Sequence, residues 1–128
     1  MQTMQQERAR YALEQVETLK KNGIGQKEFK SYAASFPAMI RMNGLGQAAA
    51  FYRSKGAEDN AKGIAYLALY DLLCGWLAKE GQPYAGCDLL QGITANDMRA
   101  YRLAQAEAML VLDWVKKFAK AYMEEEQQ

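Results

Sequence analysis

The last third of the chain carries the clearest pattern. Tyr101, Ala104, Ala108, Val111, Val115, Phe118 and Tyr122 recur at alternating steps of three and four residues. That is the 3.6-residue period of a helix with one apolar face, so a continuous helix is expected here. Thr94 with Asp97 three residues later reads as a capping-box-like start, giving a helix of about 28 residues and roughly 42 Å. Leu103, Leu110 and Trp114 are expected to widen its core stripe. Arg99, Arg102, Gln105, Asp113, Lys116 and Lys120 form the polar stripe opposite. The Glu124–Glu126 tail is expected to project and fray, since acids at a helix C-terminus oppose the dipole.

The same period appears upstream. Ala9, Ala12, Leu13, Val16 and Leu19 define a helix from about Met4 to Asn22, stopped by Gly23 after Lys20 and Lys21. A second helix starts near Gly25 or Gln26 and buries Phe29, Tyr32, Ala33 and Phe36. Pro37 predicts a break near Ser35 and Phe36 and opens a new short helix carrying Met39 and Ile40. Asn43-Gly44 ends that piece, and a further helix takes Leu45 to Arg53, closed by Gly56. Residues 60–79 form a helix apolar nearly all round, the signature of a central helix in a bundle. Gly81, Pro83 and Gly86 mark a loop, and Asp88 to Ile93 supplies one or two helical turns. Alternating strand patterns, repeats and linkers are absent. The expected architecture is all-α: a single-domain bundle of about five to seven helices with a long C-terminal helix, over residues 1–128 with Glu124–Gln128 as a frayed tail.

Composition then restricts the chemistry. The 128 residues contain no histidine, which removes Ser-His and Cys-His nucleophile pairs and any histidine base. Cys74 and Cys87, without a second pair or a histidine, cannot complete a four-ligand zinc site. They read as reduced buried thiols, which points to a cytoplasmic protein. Residues 1–20 hold no apolar run of the signal-peptide kind, and the longest apolar stretch, Ile64 to Ala78, is too short to span a bilayer. Asp71 and Asp113 interrupt apolar runs. Each is either a catalytic acid with a raised pKa or a paired acid on the narrow polar side of a helix.

Net charge is +1, unevenly distributed. Residues 20–62 hold eight basic side chains against three acidic ones, or +5, and residues 63–98 come to −3. A positive middle third is either a patch for an anionic partner or an ordinary solvated surface. Within it lies Asn43-Gly44-Leu45-Gly46. No strand precedes it and no Gly-Lys-Ser/Thr ends it, so neither a Rossmann nor a Walker site fits. Two readings remain: an interhelical corner built on Asn43, Gly44 and Gly46, or a helix start whose free N–H groups meet an anion between Arg41 and Arg53.

The stretch "SFPAMIRMNGLGQAAAF", Ser35 to Phe51, resembles the signature of the small α-helical subunit of the type III-B CRISPR effector, the Cmr complex. The start, "ERARYALEQV", and the end, "AEAMLVLDWVKKFA", are similar in kind and order, so the resemblance covers nearly the whole chain. It implies a non-catalytic architectural subunit without cofactor or metal. Its partners would be larger effector subunits, copies of itself, and guide and target RNA met through the backbone, with no membrane and no small-molecule substrate. On that reading the phosphate contacts are expected from Lys27, Lys30, Arg41, Arg53 and Lys55 in the basic segment. A free-standing helical adaptor that binds only protein is the alternative, and a small metal-carboxylate enzyme built on Asp71 or Asp113 is a third.

Overall fold

In the computed structural model, residues 2–123 are described, and they form five helices with no strand among them. Helix α1 runs Met4–Lys21, α2 Gln26–Lys55, α3 Ala61–Leu77, α4 Leu89–Ala95 and α5 Met98–Tyr122. Each start has a local cause. Thr3 and Gln6 form a full capping box on α1. Asn60 accepts from Gly63 N at the head of α3, Asp88 from Leu90 N at α4, and Asp97 from Ala100 N at α5.

Three expectations need correction. Pro37 does not break its helix: α2 continues past it, and the only non-helical backbone inside α2 is Gly44. A proline here forfeits the bond to the Ala33 carbonyl, at a cost of about 3 kcal/mol. The flanking burial offsets it, since Phe36, Pro37 and Ile40 all lie in the core and a buried phenylalanine alone contributes about 1.5–3 kcal/mol. The start of α5 is Asp97, not Thr94. Thr94 belongs to α4, where its hydroxyl donates back to the Leu90 carbonyl at 3.0 Å. The helix is therefore 25 residues long, about 37 Å. Finally, Leu103 and Leu110 are 55% and 49% exposed and do not widen the core. The stripe is completed instead by Leu112 and Ala119, while Trp114 is half-buried against Phe118. The tail at Glu124–Gln128 lies outside the described residues.

At Gly44 the chain folds back on itself. Phe36 and Tyr52 lie eight residues either side of it, yet their rings stack with centroids 3.9 Å apart, and Tyr52 OH donates to the Tyr32 carbonyl at 2.7 Å. So α2 is two helical arms joined at a corner. Tyr66 of α3 stacks on Tyr32 at 3.9 Å and meets Tyr52 edge-on, which locks α3 against both arms. Helix α5 packs on α1, α2 and α3. A bidentate Arg8–Glu107 pair ties α1 to α5, with Trp76 Nε1 donating to Glu107 Oε1 at 2.8 Å from α3. Helix α3, expected to be central, keeps one uncovered edge at Ile64, which is 39% exposed. Cys74 and Cys87 are free thiols. No described helix is long and apolar enough to cross a membrane.

Candidate functional site

The corner at Asn43-Gly44-Leu45-Gly46 is held from α5. Gly44 has φ 84° and ψ 160°, a backbone region open almost only to glycine. Past it, the second arm of α2 begins, and its first N–H groups have no partners within their own helix. Gln105 Oε1 accepts from Leu45 N, and Tyr101 OH accepts from Gly46 N, each at 2.9 Å. Two of the donors that an anion would need are thus already taken. The sequence placed Gln105 on a solvated stripe and Tyr101 simply in the core; both are instead the supports of this corner. The partners lie 60 and 55 residues away along the chain, and no local motif announces them.

The two acids singled out by the sequence differ in setting. Asp113 is exposed and pairs with Lys117 at 3.0 Å, one turn along the same helix. Asp71 is surface-exposed; partial burial raises its carboxyl above the usual value, with Arg53 pulling the other way. Among the described residues no group of three or more Cys, Asp or Glu side chains converges on a metal position. The polar cluster near Asp71 on α3 joins helices. Tyr70 OH donates to Asp88 at 3.0 Å, Cys74 Sγ lies 3.6 Å from the same oxygen, and Asp88 also caps α4.

The five basic residues of the middle segment all fall on α2, but not together. Lys27, Lys30 and Arg41 share one face of the first arm, because 3, 11 and 14 residues are close to whole numbers of helical turns. Small residues, Ala34 and Ala38, lie between them. Arg53 and Lys55 sit on the second arm beyond the corner. Arg53 is close enough to Asp71 to influence its carboxyl, and Lys55 Nζ lies 5.6 Å above the Phe51 ring. The +5 segment is therefore two separate surfaces.

Comparison with known proteins adds the decisive observation. The family model described as CRISPR-associated protein (Cas_Cmr5) matches residues 4–122, essentially every described helix. This chain belongs to the Cmr5 family. A curated member, "CRISPR system Cmr subunit Cmr5" from Thermus thermophilus, is 30% identical over 125 residues. That alignment covers 98% of this chain and 100% of the relative. The match takes in the α2 corner, both arms and the α5 residues that brace them.

Proposed function

We propose that this protein is a non-catalytic, architectural subunit of a type III-B CRISPR effector complex in the cytoplasm, where it helps to wall the channel for guide and target RNA. The observation that carries the reading is the full-length match to the Cmr5 family, residues 4–122. The structure supports an architectural role in three ways. Its polar clusters are spent on joining helices, as in the Arg8–Glu107–Trp76 and Tyr70–Asp88 contacts. Its chain has no histidine. Large apolar side chains remain on the surface, notably Met42, Met98, Leu103 and Leu110, and such residues suit contact with neighbouring protein subunits.

RNA contact would run through phosphates, from cations such as Lys27, Lys30 and Arg41 on one arm of α2, with Arg53 and Lys55 on the other. Such contacts carry position and no sequence. Neighbouring subunits and paired RNA supply effective concentration, so each contact can be weak. The test is affinity purification of the tagged chain from its native cells at low salt. Recovery with larger CRISPR-system subunits and a short RNA supports the reading. Recovery alone, or with protein partners and no RNA, favours a helical adaptor instead.

A further inference from the structure

We infer that the groove between α1 and α3 is the docking site for a basic amphipathic helix of a larger effector subunit, whose apolar anchors fill its floor and whose Lys or Arg side chains meet Glu58 and Asp71. This rests on the effector-subunit reading and deepens it, by naming a surface and the chemistry of the partner that fits it.

The groove follows from an imbalance in α3. That helix carries only two charges, Lys62 and Asp71, in 17 residues, a pattern suited to burial on every side. It packs against α2, α4 and α5. It meets α1 at Tyr11, whose hydroxyl donates to the Leu72 carbonyl at 2.7 Å and whose ring lies 5.1 Å from that of Trp76. Beyond that contact a groove of about 340 Å³ opens, lined by Gln15 and Leu19 of α1 and by Ile64, Leu67 and Ala68 of α3. The spacing of the α3 residues puts them on one face of the helix. The stretch from Tyr11 to Leu19 rises about 12 Å. The groove therefore takes about two turns of a helix, with anchors at i, i+3 or i+4, and i+7.

Its charged lining is acidic. Glu58 stands on the link between α2 and α3, and Asp71 lies one further step along the same face of α3. Both are exposed, and among the described residues neither is in an ion pair. Asp71 gains from a further cation, since partial burial outweighs the pull of Arg53 on its carboxyl. These charges choose the occupant. A phosphate backbone would be repelled by the two carboxylates. A second copy seated here about a two-fold axis would bring the same acids towards each other. A two-turn groove also falls well short of the roughly 1,600 Å² that a stable pair of subunits buries. A helix with apolar anchors and flanking Lys or Arg fits, because the side-chain stems cover the apolar walls while the charged heads reach the acids.

The experiment uses the tagged full chain purified at low salt from its native cells, with the photo-crosslinker p-benzoylphenylalanine at position 64. The crosslink should fall on a segment of a larger CRISPR-system subunit with helical apolar spacing and at least two Lys or Arg within two turns of the joined residue. A crosslink to a second copy of this chain, to RNA or to an acidic segment, or no crosslink at all, overturns the proposal. In parallel, Ile64→Asn and Glu58→Lys/Asp71→Lys should each lower recovery of that subunit by about tenfold or more. Glu14→Lys/Glu17→Lys makes the same change in charge on α1 outside the groove, and should alter recovery less than about twofold. Circular dichroism should match wild type for all three, since every substituted side chain is exposed. Groove variants that bring down the larger subunit at the wild-type level overturn the groove and leave the effector reading standing. Wild-type chain recovered without any larger subunit overturns both.

Discussion

Replacing Gly44 and Gly46 one at a time by alanine separates a structural corner from a ligand cradle. At Gly44 the backbone sits at φ 84°, ψ 160°, where a residue with a side chain costs about 1–3 kcal/mol. A Cβ there would also stand 3.0 Å from the Tyr101 hydroxyl. That hydroxyl would have to move, and it is the acceptor for Gly46 N. Losing the bond adds about 1 kcal/mol, so Gly44→Ala should cost about 2–4 kcal/mol. For a chain of this size each kcal/mol shifts the midpoint by roughly 3–5 °C, which gives a drop of roughly 6–20 °C. Gly46 is different. Its backbone is helical, and an added Cβ meets nothing closer than 3.6 Å. Alanine there restricts the unfolded chain and should stabilise by about 0.4–1 kcal/mol. Thermal unfolding followed at 222 nm reads both. Equal losses in the two variants would refute the reasoning, because a corner needs only the first glycine, whereas a backbone cradle for a ligand needs both.

Other outcomes follow from the same structure. Trp76 is 4% exposed and hydrogen-bonds Glu107, so Trp76→Ala should cost about 3–5 kcal/mol by urea unfolding, clearly more than the half-buried Trp114→Ala. The Tyr84 hydroxyl is buried and has no hydrogen-bond partner among the described residues; Tyr84→Phe should therefore leave the urea midpoint unchanged or raise it. For Glu107, burial pushes the carboxyl up but hydrogen bonds from Arg8 and Trp76 outweigh it, and the net value lies below the ordinary 4.5. A carboxyl held lower in the folded chain contributes stability above its unfolded value and loses it as pH falls through the folded one. Wild-type stability should therefore fall more steeply below about pH 4.5 than that of Glu107→Gln, and parallel pH profiles would remove Glu107 from the account. Burial, and then Asp88, raises the Cys74 thiol above its ordinary value, so maleimide at neutral pH should label it slowly, with two labels only after unfolding.

What was legible in the sequence is what a single helix decides by itself. The alternation of three and four along α5 reports local geometry, and so do the stop at Gly23 and the break at Gly44. Errors entered where two local signals competed or where tertiary packing overruled one. Thr94 and Asp97 both resemble a helix start, and only the neighbouring α4 turn, which absorbs the Thr94 hydroxyl, decides between them. Pro37 is a strong breaker read alone, but Phe36 and Ile40 beside it are anchored in the core, and the stack of Phe36 on Tyr52 holds the first arm in place.

The grouping of the basic residues on the surface was hidden from the sequence for a related reason. Counting charge along a window sums residues that point in every direction, and it stops where the window stops. That count joined Arg53 and Lys55 to Lys27, Lys30 and Arg41, although a folded corner separates them. The glycine whose backbone permits the fold-back at residue 44 is therefore also what sets the two arms that carry these cations relative to each other. On the RNA-lining reading, a change there should disturb RNA contact without touching a single cation, and Gly44→Ala assayed by fluorescence anisotropy on a labelled oligouridylate should lose affinity while Gly46→Ala keeps it.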